Sequence, residues 1–153
     1  AAFKSTLKCL KLCFSDGLDD SVFSLLPLFS HLQEVDLRGC ITLSLNGALQ
    51  LLPEGHWASF KRIGWPERIS TILAERAIFY RDLKLAKSEL ILDPKDVSIP
   101  FLDEPQLRQQ LKWHKQVYRD IYLNLNADAL RSKLISIIRL RKREQTLYDL
   151  SMD

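Results

Sequence analysis

Apolar residues hold the first, fourth and sixth places of three short stretches of this chain. Leu7, Leu10 and Leu12 frame Lys8, Cys9 and Lys11; Leu32, Val35 and Leu37 frame Gln33, Glu34 and Asp36; Phe60, Ile63 and Trp65 frame Lys61, Arg62 and Gly64. The second stretch begins 25 residues after the first, and the third 28 residues after the second. Near-alternation of this kind predicts a strand with one apolar face. Recurrence at a nearly constant interval predicts three strands side by side in one parallel sheet. The apolar residues of each would point into a core and the intervening ones outward.

The connecting segments read as turns and short helices. Ser15-Asp16-Gly17 is a turn signal. After it Leu18, Val22, Leu25 and Leu26 fall three and four apart, on one helical face. Asp19 and Asp20 suit the positive end of that helix, and Pro27 is expected to end or kink it. After the second strand, Arg38-Gly39-Cys40 turns the chain into a helix expected from about Asn46, with Pro53 and Gly55 closing it.

The stretch from Leu32 to Leu37, followed by Arg38-Gly39-Cys40, resembles the cysteine-containing leucine-rich repeat of F-box-type adaptors, in which Cys or Asn stands three places after the last strand leucine. Cys40 fits that place. Ser15 and Arg68 hold it in the other two stretches and depart from the pattern, so the resemblance covers residues 5–65 only. It implies an α/β fold: a short solenoid of parallel strands plus helices, with Cys40 turned inward. It also implies a binding function. One version is the substrate-recognition part of a ubiquitin-ligase adaptor, whose F-box would lie upstream. Similar repeats joined to helical domains occur in secreted effectors of intracellular bacteria, so a bacterial protein acting on a partner in host cytoplasm is a second version.

At Pro66 the pattern changes to helical spacing. Pro66-Glu67-Arg68 is a good first turn. Ile69, Ile72, Leu73, Phe79, Tyr80, Leu83, Ala86 and Leu90 then predict one long helix to about Leu92, interrupted by Arg76, which would snorkel or pair. Residues 95–102 hold a short alternating run that fits a strand fragment or an extended strap. Asp103-Glu104-Pro105 opens a second helix whose stripe runs from Leu107 and Leu111 through Val117, Tyr118 and Ile121 to Leu125. A third begins near Asn126 or Asp128, turns Leu130, Leu134, Ile137 and Ile138 inward, and runs to Leu147 or Leu150. Three amphipathic helices must bury their faces. The expected organisation is therefore a repeat part over 1–65 and a helical cap or domain over 66–153, with an independent activity in the latter as the alternative. A first residue of Ala1 suggests an excised piece with repeats missing upstream.

Composition narrows the function without identifying it. At 46% apolar and 27% charged, the 153 residues fit one globular domain or two small ones. A net charge of +3 is too mild to indicate nucleic acid. Cys9, Cys13 and Cys40 are an odd number without C-x-x-C spacing, which fits a reducing, cytoplasmic setting better than disulfides or zinc. No apolar run is long enough to span a bilayer.

Candidate chemistry is sparse. His31, His56 and His114 match no ligand spacing, and a thiol–imidazole pair with Cys40 is disfavoured by an inward, inert thiol. Five dispersed glycines build no phosphate loop, and Asp103 and Glu104 are explained by helix capping. No metal or other cofactor is expected, and the reading is non-enzymatic. Residues 131–143 carry Arg131, Lys133, Arg139, Arg141, Lys142 and Arg143 and no acid. That is either a solvated helix face or a basic patch for anionic lipid or an acidic protein, in preference to DNA. The expected function is thus protein–protein interaction, through the strand face and the helical part. Its contacts would be Lys8, Lys11, Gln33, Glu34, Asp36, Lys61 and Arg62, with Trp57 as a possible anchor. The alternatives are the ligase-adaptor role and an enzymatic or anionic-lipid-binding activity in the helical half.

Overall fold

The computed structural model describes residues 6–14, 17–52 and 60–151. The chain divides into two compact units, Ala1–Glu75 with Glu144–Asp153, and Arg76–Arg143. Residues 66–75 and 144–153 therefore belong with the strands, beyond the boundary that the change of pattern at Pro66 suggests.

The first unit contains a parallel three-stranded sheet in the order β1 (Cys9–Lys11), β2 (Glu34–Asp36), β3 (Arg62–Gly64). Leu10 pairs with Val35, and Val35 with Ile63, so the middle apolar residues of the three stretches stand in one row. Leu32, Val35 and Leu37 are buried, as are Phe60, Ile63 and Trp65; Leu7, Leu10 and Leu12 are half-buried, because β1 is an edge strand. At the other edge the Ile63 amide donates to the Leu150 carbonyl at 2.7 Å, and Ser151 forms a parallel bridge to Ile63. The indole Nε1 of Trp65 donates to the Leu147 carbonyl at 3.1 Å. The end of the chain thus satisfies backbone that a sheet edge would leave open.

The helix after β1 is shorter than its spacing predicts. It consists of α1 (Val22–Leu25) and a 3-10 turn over Leu26–Leu28 that carries Pro27 in its first turn. A ring without an N–H cannot continue the α-helical ladder. Phe23 takes the buried place expected of Leu25, which is 51% exposed. The next helix, α2 (Leu45–Leu51), starts one residue before Asn46 and is capped by Ser44, whose hydroxyl accepts from the Gly47 amide at 3.0 Å.

Asp20 is not a dipole partner of its own helix. Its carboxylate accepts from the Ser44 amide at 2.8 Å and from the Ser44 hydroxyl at 2.7 Å, so it joins two successive connections. A Cβ on Gly47 would come within 2.2 Å of the Asp20 carboxyl carbon, which explains a glycine inside a helix. Replacing Asp20 by Ala is expected to cost about 1–2 kcal/mol, read as a lower urea midpoint with unchanged slope, because it removes two accepted bonds and leaves a cap half-satisfied. An unchanged midpoint would show that the Ser44 cap suffices alone.

In the second unit, α3 (Glu67–Ala86), whose first turns belong to the first unit, ends six residues short of Leu92. Lys84 donates to the carbonyls of Ser88 and Leu90 at 2.8 and 2.6 Å, which closes the helix end. Leu90 and Ile91 enter the core as extended chain. There the Gln110 side chain accepts from the Ile91 amide at 2.9 Å and donates to the Glu89 carbonyl at 2.7 Å. A buried amide replaces the strand neighbour that this segment lacks.

Residues 95–102 form no strand; Ile99–Phe101 is a 3-10 turn entered after Asp96, which accepts from the Ser98 amide and hydroxyl. The second predicted helix, α4 (Glu104–Lys115), opens with the expected Asp103 cap and a capping box to Gln106. It stops ten residues before Leu125. Tyr118 and Ile121 still reach the core, from irregular chain that Arg108 holds through the carbonyls of Leu123 and Leu125. The helix α5 (Ala127–Asp149) begins after Asn126, which accepts from the Ala129 amide at 2.9 Å. Leu130, Leu134, Ile137 and Ile138 are buried as predicted. Arg76 lies over the Tyr118 ring, 5.2 Å from its centroid, which resolves the interruption in the apolar face.

Candidate protein-binding face

The register of the sheet decides which polar side chains meet. Cys9, Glu34 and Arg62 form one cross-strand row, and Lys11, Asp36 and Gly64 the next. By alternation these rows stand on the face opposite Leu10, Val35 and Ile63. Lys8, Gln33 and Lys61 stand at the entrance of each strand. Lys8, Cys9, Lys11, Lys61 and Arg62 are exposed, while Gln33 and Glu34 are half-buried.

Asp36 departs from the expected contact set. It is 4% exposed. Its carboxylate accepts from Arg38 three times: from Nε at 2.9 Å, from Nη2 at 2.6 Å and from the backbone amide at 3.1 Å. The hydrogen-bonded Arg38 guanidinium holds this carboxyl well below the usual carboxylate range, against the opposing effect of burial. A short side chain two residues before an arginine folds back on it and needs no outside partner. The face is therefore basic: Lys8, Lys11, Lys61 and Arg62 surround Glu34, and Asp36 is neutralised within the chain.

At the carboxyl ends of the strands the face adjoins a groove of about 1000 Å³, lined by Phe14, Arg38, Ile41, Trp65, Arg68 and the first turns of α3. Beside it, Cys40 is fully buried and its thiol donates to the Leu12 carbonyl at 3.0 Å. The thiol thus satisfies a backbone group just past the end of β1. His31 is exposed, and Cys13 is half-buried with its thiol pushed up, first by a hydrogen bond with Asp36. These features give no activated nucleophile. Trp57 and His56 lie outside the described residues.

The basic residues of α5 do not act as one patch. Arg131 donates to the carbonyls of Ile99 and Leu102 at 3.2 and 3.0 Å and pairs with Asp128, so it fixes the 3-10 turn. Arg141 is 4% exposed, with its guanidinium 4.7 Å from the centre of the Tyr80 ring. Lys133 and Arg143 are half-buried, and Arg139 and Lys142 are exposed. A run of cations along one helix is divided by its period of 3.6 among packing and solvent-facing roles.

Among the described residues no group of three or more His, Cys, Asp and Glu side chains could hold a metal ion, and no helix is long and apolar enough to cross a membrane. No protein-family model, curated protein or solved structure matches the chain.

Proposed function

We propose that this chain is a protein-interaction module that binds an acidic segment of a partner protein on the open face of its parallel sheet. The carrying observation is the shared register of the three strands, which brings Lys11 and Arg62 from distant parts of the sequence onto one face, with Lys8 and Lys61 exposed at the strand entrances. Complementary charge on such a surface steers encounter and fixes orientation, and chemistry on a substrate is not required. The spacing of the strands, the helical connections and the inward Cys40 support a leucine-rich-repeat reading of the first unit, in which the open face is the natural contact surface.

The test is a pull-down with the intact protein and with a variant carrying K8E, K11E, K61E and R62E. A partner retained by the first should bind the second at least ten-fold more weakly, and its affinity for the unaltered protein should fall as salt rises from 50 to 300 mM. Equal retention of every captured protein by both forms would end this reading. Glu34→Lys is a milder companion change. Asp36 is unsuitable as a probe, because its loss would release Arg38 as well.

A further inference from the structure

We infer that the groove at the carboxyl ends of the strands receives a segment of the partner in which a large apolar side chain lies beside carboxylates. This rests on the sheet face being a protein-binding surface and extends that surface into the groove.

The first observation is the backbone of Phe14. Its φ is 61°, the one positive value of a non-glycine residue among the described residues. Gly39 stands 25 residues on, the interval that separates the first two stretches, with φ of 82°. A left-handed backbone suits glycine and is unfavourable for a bulky residue. Such conformations persist where the surroundings enforce them, and they concentrate at binding sites.

The second observation is where the ring goes. It is not folded into the core: Phe14 is 77% exposed. Yet it is seated on Gly39, where a Cβ would come within 2.3 Å of the ring. The ring therefore lies against Gly39 and is otherwise turned to solvent. Ile41, which lines the same groove, is 75% exposed. Two large apolar side chains bordering one concavity favour an apolar side chain as occupant, since each gains by leaving water.

The third observation is charge. Arg68 and Glu67 line the groove, Arg38 stands there paired with Asp36, and the adjoining face adds Lys11. A segment whose apolar residue sat between Phe14 and Ile41 would carry its neighbours past these cations. Acidic neighbours complement them, and basic ones would be repelled.

The experiment selects a displayed library of random 12-residue peptides on the intact protein. Recovered peptides should place Trp, Phe or Leu within two residues of at least two Asp or Glu. A synthetic copy should bind Phe14→Gly and Ile41→Ser at least ten-fold more weakly. Phe14→Gly keeps the fold by placing glycine where φ is positive, so its thermal midpoint should be no lower than that of the parent. The inference is overturned if nothing is recovered, if the recovered peptides lack that composition, or if both variants bind them unchanged. Loss of binding in the K8E/K11E/K61E/R62E form alone would leave the sheet-face reading standing without the groove. Loss in the Phe14 and Ile41 variants alone would leave the groove without the sheet face.

Discussion

Lowering the pH from 7 to 4 should remove about 3 kcal/mol of stability from the second unit, and His114 should account for it. The imidazole is fully buried, and its Nδ1 shares a hydrogen bond of 2.8 Å with the Tyr80 hydroxyl. Burial pushes its pKa from the ordinary 6.5 down to about 4; the Ile91 backbone opposes that shift, and the Arg141 cation adds to it. Above pH 6.5 the ring is neutral in folded and unfolded chains alike, and the contribution is fully present. As pH falls below 6.5, the unfolded chain takes up a proton that the folded chain refuses. Stability then drops by up to about 1.4 kcal/mol per pH unit, until the folded imidazole itself protonates near pH 4. Asp19, Asp36 and Asp96, all with lowered values, act below this window, because their contribution is lost only as pH falls past the ordinary carboxylate range. Urea midpoints of the parent and of His114→Phe, measured at pH 7.5, 6, 5 and 4.5, would decide it. The parent should lose stability across the series and the variant should be nearly flat; parallel curves would refute the assignment.

Truncating Trp65 to Ala should cost the first unit about 3–5 kcal/mol. The indole fills the last apolar place of the third stretch, 4% exposed and 6.2 Å from the Phe23 ring between centroids. It also donates to the Leu147 carbonyl, which ties residues 144–151 to the sheet. Removing the ring opens a cavity and leaves that carbonyl only the longer bond from the Ser151 hydroxyl, at 3.4 Å. Trp65→Phe keeps most of the packing and loses the bond, so it should cost about 1–2 kcal/mol. Hydrogen exchange offers a local readout. The Ile63 amide, which donates to Leu150, should lose protection in Trp65→Ala well before the amides that join β1 to β2. Equal loss across the sheet would mean that Trp65 supports the unit as a whole and does not pin its end.

The two effects differ in how visible they are beforehand. Trp65 occupies a place that the apolar pattern marks as inward, so its burial follows from local periodicity. His114 stands three places after Leu111 and seven after Leu107, so the same helical spacing turns it inward. What spacing does not show is its partner: Tyr80, 34 residues earlier, meets it in the core. Asp20 and Ser44 are similar. Their spacing of 24 residues is close to one interval of the strand pattern, so the pair is a polar counterpart of the apolar recurrence.

Side-chain placement also explains where the helices end. Apolar stripes continue to Leu92 and to Leu125, yet α3 stops at Ala86 and α4 at Lys115. Burial rewards an apolar residue equally from helix or irregular chain, provided that the backbone is satisfied. Here Lys84, Gln110 and Arg108 satisfy it, which lets the chain leave the helix without leaving the core. Periodicity records which residues are inside and is blind to those long-range donors and acceptors.

The sequence by itself determined the parallel alignment of three strands, the residues that line their core and the cap of α4, because each depends on spacing or on neighbours a few places away. Tertiary structure alone decided that Asp36 is withdrawn from the open face, that Arg141 is covered, and that Phe14 stands out over Gly39. Charge and exposure are properties of a surroundings assembled from distant residues, and local patterning carries no measure of them.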